Sequence, residues 1–183
     1  MAPRDREYLT KEEVTLIMKA ASQTGRHGHR DRTLILLGYR HGFRISELVN
    51  LKWSDIDFGR ATIRCARVKQ SETNNHPING EELRALRQLQ REYPDSQWLF
   101  VSERKQPLAS RTARLIVTRA GEIAGLGFPI HPHMLRHACG YQLANVGTDT
   151  RAIQEYLGHK NIAHTVRYTK LAPGRFEKLV EVL

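Results

Sequence analysis

The sequence predicts a mainly α-helical domain carrying one small antiparallel β-sheet. Three observations lead there. Most apolar residues recur at three- and four-residue spacing behind recognisable helix caps. A single stretch in the first half alternates and is rich in β-branched residues. No repeat, low-complexity segment or long linker divides the 183 residues.

The elements follow in order. "YLTKEEVTLIMKAASQTG" opens with a capping box, Thr10 and Glu13, and Val14, Ile17, Met18 and Ala21 repeat at helical spacing until Gly25. "RHGHRDR" reads as a solvated basic loop. "RTLILLGYRHG" reads as a buried helix stopped by Gly42. "FRISELVNL" starts a short helix and "KWSDIDFGR" a turn. "ATIRCARV" and "HPIN" are two strands of a hairpin whose tip is "QSETNN". Asn79 and Glu82 box the start of a helix that runs to about Glu92. "YPDSQ" breaks it and "WLFV" is a short strand or an extended segment. Ser110 to Ala124 is helical. Pro132 suits the first turn of a helix over 133–146, stopped by Gly147. Thr148 to Leu157 is a helix stopped by Gly158, another covers about 161–169, and after "LAPG" the last nine residues form an amphipathic helix. Trp53, Trp98, Tyr141 and Tyr156 read as core.

Lys and Arg number 29 against 19 acids, a net charge of +10 and a pI near 10.0. Such a surplus favours a polyanionic partner, of which nucleic acid is the usual one. The N-terminus lacks a secretory h-region and no run is long and apolar enough to span a membrane, so the expected location is the cytoplasm, with no membrane partner. The two cysteines, Cys65 and Cys139, read as small buried hydrophobes rather than a disulfide.

The chemistry gathers in "HPHMLRH". His133 and His137 are four apart, as in some zinc helices, but the intervening residues include Arg136 and no glutamate, which disfavours a dication. His133 and Arg136 share a helix face in the first turn, where the dipole and unpaired N–H groups favour an anion. On their own they fit a phosphate site and a solvated basic helix end equally. They are not on their own. "GFRISEL" opens a helix with Arg44 and places Glu47 to hold its guanidinium. "GHKNIAHTVRYTK" puts His159 just after a glycine and Tyr168 nine residues on. Lys69 lies near the hairpin tip, with Lys52 and Lys105 as competitors outside it. A phenol with a usual pKa of about 10 becomes a nucleophile only with help, and arginines on a phosphate stabilise both the phenolate and the transition state.

"GFRISEL", "HPHMLRH" and "YLGHKNIAHTVRYTKL", in this order, resemble the motif boxes of the tyrosine recombinase (phage integrase) family. The stretch from Ile130 to Thr169 is most similar to small fimbrial-switch invertases. The resemblance spans about Leu9 to Arg175 and implies the tyrosine recombinase catalytic-domain fold over residues 1–172. Residues 173–183 would be a tail helix that either folds back or, as the resemblance implies, docks on a neighbouring protomer. It implies a catalytic set of Arg44, Lys69, His133, Arg136, His159 and Tyr168, with Glu47 in support. Tyr168 would form a 3′-phosphotyrosine, with no metal and no cofactor. Gln70 and Ser71 follow Lys69 where many members carry glycine. Arg111, Arg114 and Arg119 share one predicted helix, either its wet face or, as the resemblance favours, a DNA contact. The implied partners are double-stranded DNA, a homo-oligomer on it (a synaptic tetramer) and DNA-bending helper proteins. The implied outcome is inversion of a DNA segment, then integration or excision. A non-catalytic DNA-binding regulator is the rival from another class. His131 reads as a cap or loop residue, His137 as locally packed or bonded, and His164 as exposed.

Overall fold

The computed structural model describes residues 8–65 and 74–170. The first helix, α1 (Lys11–Ser22), begins at the expected capping box, with the Thr10 hydroxyl accepting from the Glu13 N–H and the Glu13 carboxylate from the Thr10 N–H. The second, α2 (Gly28–His41), starts earlier than its sequence suggests. Arg30 does not lie in a solvated loop. It is 5% exposed, and donates to the Val101 carbonyl at 2.7 Å and the Asp31 carboxylate at 2.9 Å. Those partners make a buried cation acceptable. Gly28 lets the turn close, because a side chain there would run into the backbone of Ser22.

The short α3 (Ile45–Val49) leads to three strands rather than two. The stretch read as a turn contains β1 (Ile56–Asp57), which pairs antiparallel with β2 (Thr62–Cys65), and β2 pairs with β3 (Asn74–Pro77). Ile63 is the register point, opposite Ile56 and His76. The hairpin tip with Lys69 lies outside the described residues. α4 (Gly80–Glu92) has the expected Asn79–Glu82 box. "WLFV" forms no strand of the sheet: Trp98 and Val101 make isolated bridges to Lys52 and Pro107, with a bend at Leu99 and Phe100 between them. Trp98 is half-buried rather than core, with the Lys52 ammonium 4.7 Å above its ring.

The remaining helices are α5 (Ser110–Ile123), α6 (Pro132–Asn145), α7 (Thr150–Leu157) and α8 (Ala163–Lys170). Pro132 occupies the first turn of α6, as its fixed φ favours. α2 is the hub, packing on α1, α4 and α6. The main core takes Leu34, Leu37, Leu48, Ile63, Leu86, Leu99 and Phe100, each essentially inaccessible. Burying each contributes about 1.5–3 kcal/mol. A second cluster joins Cys139, Tyr141 and Ala144 of α6 to Ile153 and Leu157 of α7 and Tyr168 of α8. This second cluster sets the position of the last two helices, and Tyr168 is part of its packing. Among the described residues no helix is long and apolar enough to cross a membrane. The architecture is the mainly helical domain with a small antiparallel sheet that the sequence predicts.

Candidate active site

Two helices end the same way and point at one place. α2 stops at Gly42 with φ 60° and α7 stops at Gly158 with φ 64°. Both are left-handed caps, where glycine is the residue of least strain. The two turns nearly touch, since a side chain at Gly42 would strike the Leu157 methyl. Arg136, on α6, lies between them. Its Nη1 donates to the Gly42 carbonyl and its Nη2 to the Leu157 carbonyl at 2.5 Å. Arg136 is 4% exposed, and its guanidinium caps the negative ends of both helices. A planar fork can make both bonds at once, whereas an ammonium cannot do so with the same geometry.

Arg44 follows the Gly42 turn and opens α3. Glu47, buried, accepts from the Arg44 backbone N–H at 2.7 Å and from Nη1 at 2.8 Å. The Arg44 side chain stays 41% exposed, so its charge is aimed but still open to a ligand. Arg44, Arg114, His131, His133 and Arg136 line a cleft of about 310 Å³. His131 precedes α6 as its N-cap residue, as expected of a cap. The Thr118 hydroxyl donates to the Ile130 carbonyl at 2.8 Å, and Gly121 has no room for a side chain against Ile130, which fixes the approach to that cap. Desolvation, then the nearby Arg136, His131, Arg114 and Arg44, hold the His133 imidazole below the ordinary histidine range. The cleft therefore favours anions and disfavours further positive charge.

His159 follows the Gly158 turn. Its Nδ1 meets the buried Thr165 hydroxyl at 2.9 Å. Burial, followed by the Arg136 and Arg44 cations, lowers its pKa to about 3, so the ring is neutral at physiological pH. Tyr168 is 1% exposed. Its ring meets Tyr141 edge-on, with centroids 4.9 Å apart, and lies 6.0 Å from the His159 ring. Burial raises its phenol pKa, while the Arg136 and Arg167 cations oppose that rise. The hydroxyl is thus a phenol at neutral pH.

The structure therefore brings Arg44, Glu47, His133, Arg136, His159 and Tyr168 into one neighbourhood, while Lys69 lies outside the described residues. The α5 arginines part company. Arg114 lines the cleft, Arg111 is exposed one turn before it, and Arg119 lines a separate hollow of about 390 Å³ with Arg26 and Glu103. Three contributors escaped the sequence reading. His137 Nδ1 lies 2.8 Å from the Tyr168 hydroxyl, a longer-range bond than the local packing expected of it. Gly140 gives the Tyr168 ring its place: a Cβ there would come within 2.5 Å of Cε2. Thr165 orients His159. A glycine inside a helical pattern, as in "HACGYQ", was the available signal for the second. Among the described residues, no three His, Cys, Asp or Glu side chains are grouped to hold a metal ion.

Comparison with known proteins shows the family and the fold. The family model described as the phage integrase family matches residues 7–175. The type 1 fimbriae regulatory protein FimB of Escherichia coli (strain K12) is 44% identical over 178 residues, covering 94% of this chain and 88% of its own. A crystal structure of XerA recombinase superposes with a TM-score of 0.82 at 28% identity, over 98% of this chain and 66% of that one. The XerH site-specific recombinase bound to palindromic difH substrate shares the fold, with a TM-score of 0.81 at 22% identity over 96% of this chain and 52% of that one. With the family model matching residues 7–175 and its length matched almost throughout, the chain belongs to the phage integrase family, the tyrosine recombinases.

Proposed function

We propose that this chain is a site-specific DNA recombinase that cuts and rejoins strands through Tyr168 and inverts a DNA segment. The observation that carries this reading is the convergence of Arg44, His133 and Arg136 on one cleft, with Tyr168 packed against the same helix. A scissile phosphate entering the cleft meets Arg44, steadied by Glu47, and Arg136, steadied by two carbonyls. His133 and neutral His159 donate to its oxygens. His159 does so through Nε2, since Thr165 holds Nδ1. Fixed donors of this kind are worth about 3–4 kcal/mol each in a transition state. The Tyr168 oxygen attacks phosphorus, the P–O5′ bond breaks, and Lys69 gives the leaving 5′ oxygen its proton. The phosphotyrosine keeps the energy of the broken diester, so a 5′-hydroxyl from another strand reverses the step without a nucleotide. The guanidinium groups supply the charge that a metal supplies elsewhere.

The name of FimB records a type 1 fimbriae regulatory protein, and the XerH structure is a site-specific recombinase bound to a palindromic difH substrate. The XerH complex supports a recombinase reading, and we extend it to action on double-stranded DNA as an oligomer. We extend the reading to residues 1–172 as the catalytic unit, the 173–183 tail as a dock on a neighbour in a synaptic tetramer, Arg111, Arg114 and Arg119 as DNA contacts, DNA-bending helpers, and a cytoplasmic location. The test is a plasmid carrying the DNA that flanks the gene. Purified protein should flip the segment between inverted repeats, read by restriction digestion, and Tyr168→Phe should abolish the flip. Excised circles would mean excision instead. Specific binding with no rearrangement by the unmutated protein would favour the regulator.

A further inference from the structure

We infer that His137 is the proton acceptor for Tyr168, and so a catalytic residue of the strand-cutting step. This rests on the recombinase reading above and assigns a job that reading leaves vacant.

Tyr168 begins as a buried phenol. To attack phosphorus its oxygen must lose a proton, and the cations nearby stabilise the resulting charge without accepting that proton. Three histidines stand close. His133 faces the cleft, its ring centroid 6.5 Å from that of His137. His159 has Nδ1 on Thr165 and is a weak base, with its pKa lowered to about 3. His137 has Nδ1 at 2.8 Å from the Tyr168 oxygen, within the range of a direct proton transfer. With the neutral ring's proton on Nε2, the Tyr168 hydroxyl donates to Nδ1. Imidazole is also the side chain whose ordinary pKa suits accepting a proton near neutrality.

The arrangement is built by the helix. His133, Arg136 and His137 stand at positions i, i+3 and i+4 of α6, so adjacent side chains serve different atoms of one reaction. His133 serves the phosphate side, Arg136 holds both glycine turns, and His137 serves the nucleophile. Gly140, one turn further, leaves space for the Tyr168 ring to bring its hydroxyl to His137. In the step itself the Tyr168 O–H bond breaks, its proton goes to His137 Nδ1, the Oη–P bond forms, and the P–O5′ bond breaks. On religation His137 returns the proton to the departing phenolate oxygen.

The test uses His137→Asn, which keeps a hydrogen-bond acceptor near the place of Nδ1 but is not a base. On a nicked duplex built around the mapped cleavage site, it should form covalent adduct at least about 100-fold more slowly than wild type, the scale of lost acid–base catalysis. It should stay as slow when the leaving 5′ oxygen is replaced by sulfur, which needs no acid on that side. Adduct formation within about threefold of wild type, or full recovery on the 5′-thiol substrate, overturns the inference while leaving the recombinase reading intact. If wild type makes no adduct, both fall. Because the variant's folding must be checked, nitrogen NMR of the wild-type protein gives a second reading. Nδ1 should carry a lone pair and lose its bond in Tyr168→Phe, and a proton found on Nδ1 in wild type overturns the assignment.

Discussion

At the scale of single residues, charge and tautomer matter more than proximity. His159 lies among cations and is pushed to about 3, well below an unfolded histidine at 6.5. Between those values the unfolded chain takes up a proton that the folded chain refuses. The stability linked to the neutral ring is therefore complete above pH 6.5 and is lost as pH falls toward 3. The urea midpoint should drop between pH 7 and pH 5, and His159→Asn should make that drop shallower. An unchanged slope would show that the ring is not held neutral. Residue types and spacing made Arg44, His133, Arg136, His159 and Tyr168 legible as candidates, because each sits beside a cap or in a dense motif. His137 was not, since its partner is 31 residues away on another helix and periodicity carries no information about such a contact.

At the scale of elements, α8 stands on a narrow footing. Only Thr165 and Tyr168 of this helix are fully buried. The ring of the proposed nucleophile thus also anchors its own helix, and it packs where Gly140 offers no side chain. Gly140→Ala should push Tyr168 out of its seat. Overpacking of this kind costs about 1–3 kcal/mol, read as a lowered denaturation midpoint, and should cut adduct formation more than tenfold. Normal activity with Ala at 140 would mean that α8 shifts freely. Helix ends marked by Thr10, Asn79, Gly42 and Gly158 were legible because caps are local chemistry. The start of α2 was not, because Arg30 is made tolerable by Val101, far along the chain. β1 was missed because two residues in a turn-like stretch become a strand only through their neighbour β2.

At the scale of the whole molecule, the net charge of +10 and the cleft lined by Arg44, Arg114 and Arg136 point to one face for a polyanion. Binding to duplex DNA should weaken steeply with salt, and Arg114→Ala should reduce the slope of log K against log salt by about 1. An unchanged slope would remove Arg114 from the DNA face. Fold class was legible because caps, periodicity and one alternating stretch agree with each other. The gathering of distant motifs into a site was legible only through family resemblance. The central claim is covalent catalysis by Tyr168. The most direct measurement mixes the protein with supercoiled plasmid bearing its flanking DNA, in chelator, quenches with detergent, and looks for protein joined to a 3′ DNA end. The account predicts an adduct mapping to Tyr168 and absent in Tyr168→Phe. Clear DNA binding without any adduct, even on nicked substrate, would contradict it.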